Sequence, residues 1–152
     1  MRARLAICGG ALAFALSVAL TACGVPADPD GTTTQVQGAV LRAGASPSEG
    51  EVVINGRRVS GPLADLIDGF AADMDARVVW TIGSEEQLVD ALENGTLDVA
   101  VGGMSAQTPW VDRAGVTREY FLPTGESFVV LLPLGENGFQ AALEHYLDEE
   151  LS

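Results

Sequence analysis

The sequence predicts an α/β fold: a three-layer lobe with a mostly parallel sheet flanked by helices. Three observations carry that expectation. Short β-branched or apolar runs at residues 39–45, 77–81 and 97–101 alternate with segments of helical spacing at 62–74 and 84–93, the order that right-handed crossovers turn into a parallel sheet. Each of the three runs ends in small or turn-forming residues, so their carboxyl ends are expected to share one rim. The chain has 152 residues, enough for one ordinary domain.

Residues 1–22 read as an export signal, with Arg2 and Arg4 before an apolar stretch at 5–20. The stretch is short for a membrane span and has small residues beside its end, which favours cleavage. Leu20-Thr21-Ala22-Cys23 resembles the lipobox of bacterial lipoproteins, in which the cysteine becomes lipid-modified, as by palmitate, and forms the new amino terminus. Cys8 then leaves with the signal and Cys23 carries the lipid, so no disulfide is expected in the mature chain. Cleavage removes two arginines and no acid, taking the net charge from −13 to −15. All eight basic residues are arginine. So acidic a chain is a poor partner for nucleic acid and is repelled by anionic lipid, which leaves the acyl chain to hold it at the membrane.

Residues 23–38, with Pro26, Pro29, Gly31 and three consecutive threonines, show no apolar periodicity and read as a flexible tether. Residues 39–152 form the lobe. After the first strand come a Ser46-Pro47-Ser48-Glu49-Gly50 loop and a small hairpin around Asn55-Gly56. Pro62 opens a helix with Leu63, Leu66, Ile67, Phe70, Ala71 and Met74 on its inner face. Ser84 and Gln87 make a capping box for the next helix, whose inner side is Leu88, Val89 and Leu92 and whose end is Asn94-Gly95. One more strand at 127–132 and a final amphipathic helix bearing Phe139, Leu143, Tyr146 and Leu147 close the chain.

The stretch from Asn94 to Tyr120 resembles the type 2 periplasmic solute-binding proteins, the amino-acid receptors of bacterial ABC importers. That family's pattern runs G-x-[IL]-D-[VA]-[IV]-x-G-[ML]-[ST], then T-P-x-R, then V-x-F-[ST]-x-P-Y. It is matched by Gly95-Thr96-Leu97-Asp98-Val99, Gly103-Met104-Ser105, Thr108-Pro109 and Val116-Thr117-Arg118-Glu119-Tyr120. The resemblance spans about half of the chain, from Leu41 to Tyr120. It implies one lobe of a two-lobed receptor, with the last strand and helix as the returning portion and no length left for the second lobe.

The resemblance also implies where a ligand sits: Gly102, Gly103, Met104, Ser105, Thr108, Trp110 and Arg113. Backbone and hydroxyl groups of Gly102, Gly103 and Ser105 would hold an amino acid's head; alternatively the glycines only permit a tight strand exit. An arginine in T-P-x-R would clamp the carboxylate, a bidentate task for guanidinium. Here Arg113 stands as a displaced clamp, or else Asp112-Arg113 marks a solvated turn. Trp110 faces either a ligand or the lobe's own last strand. The family's ligand-side aromatic has no counterpart, since no aromatic occurs between Ala39 and Leu66.

Asp98 is expected to salt-bridge or cap within the fold, and the sole histidine, His145, to lie on a solvated helix face. No Ser/His/Asp set, Cys/His pair, Walker-type loop or metal-ligand cluster can be assembled, and no cofactor is expected. Dehydratases of aromatic amino-acid synthesis share the solute-binding fold, but a single lobe encloses little, and an enzyme is not expected. The functional expectation is a lipid-anchored, extracytoplasmic binding protein for an amino acid or similar small polar solute, working with an ABC-type transporter. The alternative is an interaction module that docks on a membrane transporter or sensor without capturing ligand.

Overall fold

A computed structural model describes residues 26–152; the expected signal at 1–22 and Cys23 lie outside the described residues. Strand β1 (Val40–Ala45) is flanked by β4 (Arg77–Ile82) and β5 (Val99–Val101), all parallel, and the sheet continues through β9 (Leu131–Pro133) to β6 (Ala114–Val116). β9 runs antiparallel to both of its neighbours, so the other four strands point one way. The sheet is therefore mostly parallel, as the alternation of strand and helix predicts.

Period-two alternation assigns its two faces. Leu41, Ala43, Ala45, Val99, Val101, Val130 and Leu132 face one way and pack under α2 (Pro62–Asp73) and α4 (Asn137–Glu150). Leu63, Ile67 and Phe70 of α2 meet Phe139, Leu143 and Leu147 of α4 in that layer, with the Phe70 and Phe139 rings 5.7 Å apart. Ala100 and Leu131 face the other way, against Leu88, Val89 and Leu92 of α3 (Glu85–Glu93). Three layers result. Gly44 lets α3 approach, since a Cβ there would stand 2.7 Å from Leu97 and 2.8 Å from Leu88.

The helix starts follow their sequence signals. Pro62 occupies the first turn of α2, and the Leu63 N–H donates to the Glu51 carbonyl at 3.2 Å. Ser84 accepts from the Gln87 N–H at 3.3 Å while the Gln87 side chain accepts from the Ser84 N–H at 3.0 Å, completing the capping box. The small hairpin joins β2 (Val53–Asn55) to β3 (Arg58–Ser60). Gly56, not Asn55, takes its first central turn position, with φ +61°.

Two segments depart from expectation. The run at 127–132 is not one strand: β7 (Tyr120–Phe121) pairs with β8 (Ser127–Phe128) as a separate hairpin, and only β9 joins the main sheet. A turn closes that hairpin, with the Leu122 N–H donating to the Glu126 carbonyl at 2.9 Å. The expected tether is also folded well before residue 38. Helix α1 (Thr32–Val36) buries Val36, and the Glu136 carboxylate accepts from the N–H groups of Asp30 at 2.9 Å and Thr32 at 3.2 Å. Burial of Glu136 opposes its ionisation, yet hydrogen bonding with the Asp28 carboxyl, together with these bonds from Asp30 and Thr32, holds its carboxyl below the usual range.

Candidate functional site

The carboxyl ends of β1, β4 and β5 stand side by side, Ala45 in register with Ile82 on one flank and Val101 on the other. Their exits are tied together: the Ser46 N–H donates to the Val101 carbonyl at 3.0 Å, and the Gly83 N–H to the Ala45 carbonyl at 3.1 Å. Gly102 is buried at φ +115°, and a Cβ there would lie 1.9 Å from the Ser46 carbonyl oxygen. This glycine is demanded by two exit loops in contact, which is the tight-exit reading of the residue. Gly103, at φ +63°, is exposed, and its Cβ position meets only Glu85 Oε1, at 3.3 Å. Its backbone is open to solvent on the rim.

The capping box sets the start of α3 on this rim, and so places Glu85 there. Its Oε2 accepts from Trp110 Nε1 at 3.2 Å, while the Trp110 ring packs on the layer beneath α3. From sequence Glu85 is a first-turn acid suited to the helix dipole, and its place one residue after the cap is what puts it on the rim. Across the rim, Glu51 is buried and receives the Ser48 hydroxyl. The rim thus joins bare backbone at Gly103, hydroxyls at Ser48 and Ser105, the Trp110 indole edge, and the carboxylate of Glu85.

The remaining site residues expected from sequence scatter. Met104 points into the core beneath α3 with 3 % of its surface exposed, so it offers no side chain to a ligand. Ser105 is half-buried, and its hydroxyl accepts from the Gln107 N–H at 3.4 Å. Thr108 is buried, its N–H donating to the Ser105 carbonyl at 3.0 Å and its hydroxyl oxygen left without a partner. From there the chain descends along α3. Trp110 meets the first turn of that helix, whereas Arg113 meets the last, about 12 Å further along the axis.

Arg113 therefore stands at the opposite end of the sheet, here termed the foot, where the strands begin. Its guanidinium donates to Glu93 and, at 2.6 Å, to Asp90, and it lies 5.6 Å over the Trp110 ring. Those hydrogen bonds push its pKa further up. Directly after Arg113 comes Ala114, which pairs with Pro133 of β9, the end of that strand farthest from the rim. A carboxylate clamp on the rim cannot be Arg113.

The foot has its own concavity, a cleft of about 580 Å³ lined by Arg42, Leu92, Glu93, Asp98, Arg113 and Leu134 among others. Asp98 is fully buried and accepts from the Arg42 N–H at 2.8 Å and from Arg42 Nε at 3.0 Å, the internal pairing expected of it. Among the described residues, both arginines lining the cleft, Arg42 and Arg113, are thus engaged by this chain's own carboxylates. His145 is exposed, 3.6 Å from Glu149. Among the described residues no helix is long and apolar enough to cross a membrane.

Comparison with protein-family models gives no match, and comparison with curated proteins gives none. Solved structures do match. A point mutant of the arginine-bound domain 1 from TmArgBP superposes with a TM-score of 0.66 at 16 % identity, over 80 % of this chain and 96 % of that one. The arginine-bound form of the same domain gives 0.63 at 15 % identity, over 72 % and 92 %. An ancestral cyclohexadienyl dehydratase gives 0.53 at 16 % identity, and there this chain spans 41 % of the neighbour's length. At such identities the likeness is one of fold. It matches a single domain nearly end to end and less than half of a larger protein.

Proposed function

We propose that this chain, which has the fold of one lobe of a type 2 periplasmic solute-binding protein, is a lipid-anchored, extracytoplasmic binding lobe. Its ligand is an amino acid or similar small polar solute, and its setting is ABC-type transport. The observation that carries this reading is the convergence of three strand tips at Ser46, Gly83 and Gly102 on one rim, the place where ligands bind in open α/β sheets. Glu85 is a charged group beside Gly103 on the rim, and a carboxylate beside open backbone suits an ammonium or guanidinium group. In TmArgBP a single domain of this fold is arginine-bound, which supports capture by one lobe.

A lone lobe leaves one side of its ligand in water, where enclosed sites bury most of it. Binding by the isolated monomer is therefore expected to be weak, on the order of millimolar. Titration calorimetry with a panel of amino acids tests this: basic amino acids should bind wild type and lose most of their heat in Glu85→Gln. Submicromolar binding by the monomer contradicts the open-lobe reading, and unchanged binding by Glu85→Gln contradicts the placement.

A second reading is an interaction module that keeps the lobe and no longer captures ligand, docking on a membrane transporter or sensor. The removal of Arg113 to the foot favours it, because the arginine expected to clamp a carboxylate is then absent from the rim. A melting screen on the chain from Gly24 onward separates the two. No shift with any amino acid, amine or small carboxylate favours the module.

A further inference from the structure

We infer that the lobe, when held through a lipid on Cys23, stands foot-down on the bilayer with its rim turned away, so that whatever meets the rim comes from the aqueous side. This rests on the lipid-anchor reading above. The observation behind it is the place where the chain joins the fold. The Gly138 N–H donates to the Ala27 carbonyl at 2.8 Å, and the Thr33 N–H to the Asp28 carboxylate at 3.1 Å. Glu136, which gathers Asp30 and Thr32, comes three residues after Pro133, the foot end of β9. Helix α1 then leads, through the Gly38 N–H on the Met74 carbonyl at 2.9 Å, into the start of β1, again at the foot.

Chain length decides the posture. From Cys23 to Ala27 there are four residue steps, which reach about 14 Å when fully extended. β1 alone climbs about 17 Å from Val40 to Ala45, and loops extend the lobe at both ends. A compact domain of this size is about 35 Å across. For the rim to face the bilayer the anchor would have to span the lobe's height, and 14 Å does not. A tether running to residue 38 would reach about 50 Å and permit any orientation.

Charge does not alter the posture. The foot carries Asp28, Asp30, Glu93 and Asp112 against one exposed arginine, Arg77, at the start of β4, while Arg42 and Arg113 are already paired, so its balance is acidic and attracts anionic lipid little. A membrane-embedded receiver in the same bilayer is reached by the rim only if part of it rises above the lobe.

The experiment uses the full acylated chain in phosphatidylcholine vesicles, with one fluorophore on Asp112→Cys at the foot or on Pro47→Cys at the rim, and headgroup spin-labelled lipid as quencher. The foot label should be quenched several-fold more than the rim label. Equal quenching, or stronger quenching at the rim, overturns the inference. Inserting about twelve Gly/Ser residues between Val25 and Pro26 should bring the two labels toward equality; an unchanged difference shows that adhesion rather than tether length sets the posture and overturns the argument. If Cys23→Ser still sediments with the vesicles, the anchor reading itself fails, an outcome seen before any quenching is measured.

Discussion

Gly102→Ala tests whether contact between the strand exits builds the rim. Alanine must hold φ near +115°, a region populated almost only by glycine, at a cost of about 1–3 kcal/mol. Its methyl would also lie 1.9 Å from the Ser46 carbonyl oxygen, so the exit loop of β1 has to move and the Ser46–Val101 hydrogen bond is put at risk. Forcing a group into packed surroundings adds about 1–3 kcal/mol, giving about 2–6 kcal/mol together, a large part of a typical domain's stability. The control is Gly103→Ala. It shares the positive φ but meets only one flexible carboxylate oxygen, so it should cost about 1 kcal/mol. Urea unfolding resolves the pair, because with a slope of about 1–3 kcal/mol per molar the Gly102 variant's midpoint falls by at least about 0.3 M more. If both variants lose the same small amount, the β1 and β5 exits are not in contact, and the rim argument fails.

The other expectations concern single contacts. Ser84→Ala removes the acceptor of the Gln87 N–H and should cost about 1 kcal/mol in the same assay, with Ser84→Asp restoring most of it. Arg113→Ala should leave any amino-acid binding unchanged, because its partners Asp90 and Glu93 are at the foot; a large loss of affinity in calorimetry would return it to the rim. The Tyr120 phenol is pushed up to about 12, chiefly by burial. Its folded value lies above the unfolded one near 10, so its contribution is complete below pH 10 and is lost as the pH climbs toward 12. Tyr120→Phe should flatten the fall in melting temperature across that window. Asp148 is held below the usual carboxylate range by its hydrogen bonds with Arg118, so its contribution is present at neutral pH and fades only as the pH drops beneath the ordinary carboxylate value. Arg118→Ala should shrink that acid-side loss.

The parts of the fold that sequence reveals are those whose causes are local. Pro62 with its three- and four-residue spacing, and Ser84 with Gln87, are short-range signals, and α2 and α3 start where those signals stand. Helix α1 has no such cause. Its Thr32-Thr33-Thr34 run is a poor helix former, and what holds it is a carboxylate more than a hundred residues away, so composition alone reads it as a tether. The split of 127–132 is equally non-local, since Phe128 and Leu131 are both apolar and only their partners, Tyr120 on one side and Ala100 on the other, separate the two strands. At the site, the rim follows from strand order, which alternation discloses. The position of Arg113 does not, because proximity to Thr108-Pro109 in sequence says nothing of the direction in which the loop then runs along α3.

The return segment after β6 ties the two faces of the sheet together. The β7–β8 hairpin turns the chain back at Leu122 to Glu126, and β9 then fills the sheet between β5 and β6. Removing β9 would take Leu131 out of one layer and Leu132 out of the other, and would part β6 from the sheet, so the return strand is structural to both cores. Tyr120 and Phe128, with ring centroids 6.0 Å apart, close the base of the hairpin, and Arg118 fastens it to α4 through Glu144 and Asp148. The segment between β8 and β9 also reaches the rim, where the Val129 N–H donates to the Met104 carbonyl at 3.2 Å, directly after Gly103. The return strand thus braces the rim as well as both cores, and substitutions along it should be felt at the rim.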